Sequence, residues 1–331
     1  MKNKITRRSC LQLLGLCALG AAAGVSLAMP SRFGQTESRI SRSQRALGTH
    51  VDISAIGHAQ AIEDAMGAAF EDVEALERIF THYDGLSPVC EVNERRQLKN
   101  VPAPLAGLLD VCQQYHRETQ GAFDITVKPL IDLFATGKRP SESEIAEVSR
   151  NVGAHRLHWD GANLALDSHT EITFDGAVPG LVADHIARVL ERHGIQNYLV
   201  NAGGEIRTSG HAKHGAPWRV AIQDPNKKGN FPGMLELRRG AVSTSGNYEI
   251  FYDDDRMFHH IVDARTGHSP SRFSSVTVTA PTALQADILS TALFVMAPTE
   301  ALHFANTHKE IECLLIEKSG KPHRSNHFPI V

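Results

Sequence analysis

Hydrophobic positions recur at helical spacing in some stretches of the chain and alternate in others, and the two patterns come in blocks. Ile62, Met66, Ala69, Phe70, Val73, Leu76 and Ile79 put one apolar face on a helix over Ala59–His82, with acids on the opposite face. Pro104–Thr119 and Gly180–Gly194 read as further helices, the second ended by its glycine. Pro140 and Ser141 open a short charged helix within Gly137–Arg150, and Pro298–Asn306 reads as the last. A loop with Gly85 and Pro88 separates the first two. Gly48–Ile56 alternates as a strand does. Short strands are expected at Leu157–Asp167, His169–Phe174, Tyr198–Val200, Trp218–Gln223, Met234–Leu237, Gly240–Ser243, Tyr248–Tyr252, Phe258–Val262, Phe273–Thr279 and Ile311–Glu317. Strands come in runs rather than in regular alternation with helices, so the expected class is α+β with largely antiparallel sheets. No internal repeat, low-complexity segment or linker divides this part of the chain, which reads as one domain.

One helix breaks the amphipathic rule. Pro281 stops the strand before it, Thr282 and Gln285 have capping-box spacing, and Leu284–Met296 is almost wholly apolar or small. Asp287 lies inside this stretch, past the first turn, where capping does not explain it. A lone carboxylate in such surroundings is costly unless paired or bound to a cation. Thr291 lies one turn further on the same face. Two oxygen ligands so placed suit a hard cation such as Mg²⁺. The alternative is an Asp salt-bridged to a neighbouring element, with Thr291 bonding back to the Asp287 carbonyl. This stretch alone leaves both open.

Composition narrows the field. The chain has 331 residues, 42% hydrophobic and 21% charged, with a net charge of −3 and scattered basic residues, so nothing suggests a nucleic-acid partner. Its 18 histidines occur mostly singly and lack the helical spacing of a zinc site. At the N-terminus, basic Met1–Arg8 precedes apolar Leu11–Leu27, and Ser26-Leu27-Ala28 supplies small residues for cleavage. Arg7-Arg8 just before the apolar run gives the twin-arginine export pattern. Residues 1–28 are therefore read as a signal peptide, 29–45 as a flexible tether and 46–331 as the folded domain, with a periplasmic destination. An uncleaved membrane anchor is the alternative. Export leaves Cys90, Cys112 and Cys313, read as buried apolar thiols rather than a disulfide framework.

Several turns carry candidate chemistry. Asn201-Ala202-Gly203-Gly204-Glu205 and Ser243-Thr244-Ser245-Gly246-Asn247-Tyr248 can present backbone N–H groups to an anion, the second adding hydroxyls. Asp175-Gly176-Ala177-Val178-Pro179-Gly180 opens a helix, and a helix N-terminus favours phosphate. His259-His260-Ile261-Val262-Asp263-Ala264-Arg265-Thr266-Gly267 runs from a strand into a turn suited to Asp263 and Gly267. Each of these, taken singly, is equally a plain turn or strand.

Together, and in this order, they resemble the ApbE-type flavin transferases, which move FMN from FAD onto a Thr or Ser of a target protein. Leu47-Gly48-Thr49 resembles the family's opening M-G-T, and Thr81-His82-Tyr83 with Ser87 and Asn93 resembles its S-x-x-S-x-x-x-x-x-N region. Gly121-Ala122-Phe123-Asp124 with Val127 and Pro129-Leu130 resembles G-x-F-D-x-t-v-x-P-L. Asn201–Glu205 resembles N-x-G-G-D/E, Ser243–Tyr248 resembles s-T-S-G-x-Y, and His260–Gly267 resembles H-I-x-D-P-x-T-G. Ala286–Ala292 resembles A-D-A-x-S-T-A. The resemblance spans about Gly48 to Ile316. It implies a single ApbE-like domain, with mixed, largely antiparallel sheets flanked by helices, and an enzyme that uses FAD as substrate and Mg²⁺ as metal.

By that resemblance Asp287, Thr291 and the backbone carbonyl near Val178 would hold Mg²⁺. Asn93, Asp175, Gly176, Gly180, Ser245, Gly246, His260 and Thr266 would contact FAD. An acceptor Thr hydroxyl would attack the flavin-side phosphorus, with AMP leaving and Asp287 or His260 as base. Partners would be FAD and an exported or membrane redox protein. Twin-arginine export adds a resemblance to the NosX-type accessory subgroup, which serves the membrane regulator of nitrous oxide reduction. FAD binding without transfer and metal-dependent FAD hydrolysis are the alternatives. One departure stands out: the family's D-x-G-G-I-A-K-G loop reads Thr173-Phe174-Asp175-Gly176-Ala177-Val178-Pro179-Gly180 here, so Pro179 replaces the Lys. Lys128 and Arg265 are candidates to supply the missing cation.

Overall fold

The alternating stretches assemble into one large sheet. The computed structural model describes residues 37–81, 85–137, 139–223, 225, 232–247 and 259–331. The strands are β1 (Ser38–Ala46), β2 (Thr49–Gly57), β3 (Gln97–Leu98), β4 (Leu157–Trp159), β5 (Leu164–Leu166), β6 (Asn197–Ala202), β7 (Glu205–Ser209), β8 (Trp218–Ala221), β9 (Met234–Leu237), β10 (Gly240–Gly246), β11 (Phe273–Ala280), β12 (Glu312–Glu317) and β13 (Pro322–Arg324). The helices are α1 (Ala59–Phe80), α2 (Pro88–Arg95), α3 (Ala103–Glu118), α4 (Lys128–Ala135), α5 (Glu142–Ser149), α6 (Val178–Arg192), α7 (Ala283–Val295) and α8 (Pro298–Thr307). Eight strands form the main sheet in the order β1-β2-β6-β7-β10-β11-β12-β13, antiparallel at every pairing. The α+β expectation is met: helices flank a large antiparallel sheet.

Successive residues on a strand point to opposite faces, and the core divides accordingly. Ala241, Cys313 and Leu315 join the main core with α1, α6 and α7, whereas Val242, Leu314 and Ile316 face a second cluster with the β8–β9 hairpin and Phe328. α7 lies against β10 and β11 on one side and α6 on the other, which explains why it is apolar all round. Burying its large side chains, each about 1.5–3 kcal/mol, fixes its position firmly. Cys112 and Cys313 are buried as expected, while Cys90 is half-buried; all three are free thiols.

Two tight hairpins account for motifs quoted above. Ala46 pairs with Thr49 across Leu47-Gly48, and both turn residues have positive φ, 54° and 73°. Such a turn matches the strand twist, and Glu77 Oε1 accepts the Leu47 N–H at 2.9 Å to hold it. Gly203 and Gly204 do the same between β6 and β7, at φ 76° and 122°, with Asn201 Oδ1 accepting the Gly204 N–H.

Four expectations need correction. Residues 29–45 are not all tether: β1 pairs along its full length with β2. Its less exposed positions, Ser38, Ile40, Gln44 and Ala46, include only two apolar residues, and Arg39 over Trp218 and Arg42 over Phe70 add contacts on opposite faces, so the pattern is hidden in polar letters. The loop at Gly85 and Pro88 gives way at Pro88 to α2, capped by Ser87 with Pro88 in its first turn. His169–Phe174 is unpaired by any strand; the Asn93 side chain instead bonds both the N–H and the carbonyl of Ile172. Within Phe258–Val262, the described part (His259–Val262) is not a strand, and His259 is fixed by its ring bonds to the Pro270 carbonyl and the Ile261 N–H. The signal peptide 1–28, Tyr248–Tyr252, His82 and Tyr83 lie outside the described residues.

Candidate active site

The site is built where α6 and α7 meet the ends of β7 and β10. Thr282 caps α7 by accepting the Gln285 N–H. Asp184, from α6, adds a second cap, its two oxygens accepting the Ala283 and Leu284 N–H groups at 2.9 Å each. Burial raises the Asp184 carboxyl above its ordinary range, while the two N–H bonds and Arg207, 3.6 Å away, pull the other way. No sequence motif announced Asp184, because its partners are backbone groups distant in the chain. Gly180 lets the helices touch: a Cβ there would stand 2.6 Å from the Ala283 carbonyl oxygen. That approach brings the Gly180 N–H to Asp287 Oδ2 at 2.9 Å.

Asp287 is 5% exposed. Burial raises its carboxyl well above the usual range, reinforced by the charges of Glu205, Asp175 and Asp184, against which the Gly180 bond acts only partly. The charges that act most on it are therefore carboxylates, and among the described residues no Lys, Arg or His forms a salt bridge with it. Nor does Thr291 bond back to the Asp287 carbonyl; Ser290 does, at 2.9 Å. Both parts of the structural alternative fail.

Asp287 and Thr291 open into a cleft of about 430 Å³. Asp175, Gly176, Ser245, Gly246 and His260 line it with them, as do Phe123, Asp124 and Glu205. No Lys or Arg stands among the described residues that line it. A hydroxyl network crosses its floor: Ser245 Oγ lies 2.8 Å from Ser290 Oγ and 3.4 Å from Thr291 Oγ1, and Ser243 Oγ lies 3.1 Å from Ser290 Oγ. Among the described residues no three His, Cys, Asp or Glu side chains form a metal cage. The donor set is instead one carboxylate and a hydroxyl in a field of further carboxylates. Such hard oxygen donors fit a Mg²⁺ that keeps waters and takes substrate oxygens.

The remaining expected residues lie elsewhere. Asn93 is not on the cleft wall; its amide holds Ile172, just before the loop that brings Thr173, Asp175 and Gly176 to the cleft. Thr266 is exposed in the Asp263–His268 turn, where its hydroxyl accepts the His268 N–H. Val178 begins α6 and does not line the cleft; Gly176 is the loop residue that abuts Thr291, its built Cβ 3.1 Å from the hydroxyl. Pro179 sits in the first turn of α6, where proline is tolerated. Neither proposed replacement cation reaches the site. Lys128 pairs with Asp132 and Glu171, and Arg265 binds Asp263 through two nitrogens.

The comparisons with known proteins agree with this architecture. Residues 47–315 match the ApbE family model, and the chain belongs to the ApbE family. It is 32% identical over 247 residues to an FAD:protein FMN transferase of Escherichia coli strain K12, covering 69% of this chain and 70% of that one. The FAD:protein FMN transferase of Haemophilus influenzae is 30% identical over 321 residues, covering 88% and 91%. The flavin transferase ApbE of Vibrio cholerae superposes with a TM-score of 0.79 at 26% identity, covering 89% of this chain and all of that structure.

Proposed function

We propose that this protein transfers FMN from FAD to a Thr or Ser of an exported or membrane redox protein, in a Mg²⁺-dependent reaction that releases AMP. The observation that carries the metal reading is Asp287: a buried carboxylate facing further carboxylates in a cleft whose described lining holds no Lys or Arg. A dinucleotide adds more negative charge, so this cleft needs a cation from solution. Asp287 and Thr291 are the residues to hold it, and bound Mg²⁺ would offset charge on the pyrophosphate as a P–O bond breaks.

The chain's own groups supply the rest. The pyrophosphate would lie near α7, beside the Gly176 loop and the Ser245-Gly246 end of β10, which line the cleft with Asp287 and Thr291. The acceptor oxygen forms a bond to the flavin-side phosphorus, the bond to the AMP oxygen breaks, and AMP leaves. His260 is the better base. Asp287 is buried, bonded to Gly180 and assigned to the cation, whereas His260 is half-buried on the cleft wall. Export by the twin-arginine route would deliver the folded enzyme to the periplasm, with an acceptor of the kind served by the NosX-type subgroup.

The test is incubation with FAD, Mg²⁺ and an acceptor domain, followed by denaturation. Flavin fluorescence on the acceptor and an equal yield of AMP are expected. AMP without labelled acceptor identifies hydrolysis instead; neither product means binding alone, and both contradict the proposal.

A further inference from the structure

We infer that Ser290 and Ser245 are positioning residues that fix the polarity of the Thr291 hydroxyl, drawing its proton toward Ser245 and leaving its lone pairs for a hard cation. This rests on the cation reading of Asp287 and Thr291 given above.

A serine hydroxyl has a single proton to donate, while a carbonyl can only accept. The Ser290 proton goes to the Asp287 carbonyl, 2.9 Å away. Ser290 Oγ must then accept from Ser245, at 2.8 Å, which uses the Ser245 proton. Ser245 can therefore only accept from Thr291, at 3.4 Å, a long link that leaves the Thr291 proton a single protein partner along this chain. Ser243 fits the same scheme, since its own proton has Glu205 Oε1 at 3.4 Å and Ser290 Oγ at 3.1 Å as acceptors. Polarity thus runs in one direction, from Thr291 through Ser245 and Ser290 to a fixed backbone acceptor. Ser290 is fully buried, so water cannot replace its bonds and reset the order.

The consequence is electrostatic. A hydroxyl whose proton faces a cation repels it, and one held with lone pairs forward binds it without reorienting. Gly176 leaves the space on the Thr291 side open, because any Cβ there would approach the hydroxyl to 3.1 Å. The same scheme removes Ser245 as a donor to a bound phosphate, since its proton already lies on Ser290.

The experiment titrates Mn²⁺ into the full chain with FAD present and acceptor absent, reading free ion by electron paramagnetic resonance. Ser245→Ala and Ser290→Ala are expected to weaken Mn²⁺ by about 10–100-fold, the usual effect of removing an outer partner of a metal ligand. Ser245→Thr, which keeps the hydroxyl, restores affinity. In a Thr291→Val background Ser245→Ala adds nothing further. Ser245 is only part-buried, so its variants report even where Ser290→Ala does not fold. Mn²⁺ affinity within about twofold of the parent in Ser245→Ala, or a loss that simply adds to that of Thr291→Val, overturns the inference. So does weakened FAD with unchanged Mn²⁺, which would make Ser245 a direct ligand contact. Failure of the unsubstituted chain to bind Mn²⁺ overturns the cation reading itself, and this inference with it.

Discussion

Gly180→Ala tests how the fold holds Asp287. A Cβ at this position stands 2.6 Å from the Ala283 carbonyl oxygen and 2.7 Å from Leu284 Cα, both backbone atoms that cannot turn aside. Reaching the 3.4 Å at which ordinary contact begins requires α6 and α7 to part by about 0.8 Å. The same shift stretches the 2.9 Å bond from the Gly180 N–H to Asp287 Oδ2 beyond hydrogen-bonding length. Overpacking costs about 1–3 kcal/mol, and loss of the hydrogen bond about 0.5–1.5, so the substitution costs about 1.5–4.5 kcal/mol. For a domain of this size that corresponds to a fall in Tm on the order of 10 °C. Circular dichroism melts, with and without Mg²⁺, measure both the fall and the loss of metal stabilisation. A variant that melts within about 2 °C of the parent and keeps its Mg²⁺ response would refute the α6–α7 contact as the device that seats Asp287.

Three further outcomes follow from the same geometry. Gly176→Ala crowds the Thr291 hydroxyl and is expected to lower Mg²⁺ affinity about tenfold with little change in Tm, read by calorimetry. The raised Asp287 carboxyl has a pH signature. In metal-free protein the folded state holds this proton more tightly than the unfolded chain, so the contribution of Asp287 to stability is fully present below the ordinary value of 3.8 and is lost as pH rises through the elevated folded value. Mg²⁺ must displace the proton, so its affinity rises with pH and binding releases protons, detectable as heat that varies with buffer. A chain beginning at Gly48 rather than Thr36 loses β1 and its cover over Phe70 and Trp218, and should melt lower; equal melting would restore the tether reading.

Much of the fold was legible where burial wrote a pattern. α1 was visible because its apolar face repeats every turn, and α7 because it is buried on every side. β1 was not, because it is an edge strand whose less exposed positions include the polar Ser38 and Gln44, and polarity then hides periodicity. α2 is hidden because Gly85 and Pro88 read as loop, although Ser87-Pro88 is also a helix start. At the site, Asp287 stood out as an acid in an apolar helix, and the turns around it gained meaning only in sequence order. Asp184 and Ser290 were silent because what they do depends on backbone groups and hydroxyls that converge only in the fold. Asn93 shows the opposite case: a motif residue whose contacts are with Ile172 rather than with the cleft. The missing loop cation has no replacement among the described residues that line the cleft.

The most direct measurement is flavin transfer by Asp287→Ala beside the parent, with FAD, excess Mg²⁺ and an acceptor bearing a target Thr. Fluorescence retained on the denatured acceptor and AMP released are read in parallel, with a melt confirming that the variant folds. Asp287→Ala is expected to fold and form neither product, while the parent forms both in equal amounts. Transfer by Asp287→Ala at the parent's rate would contradict it.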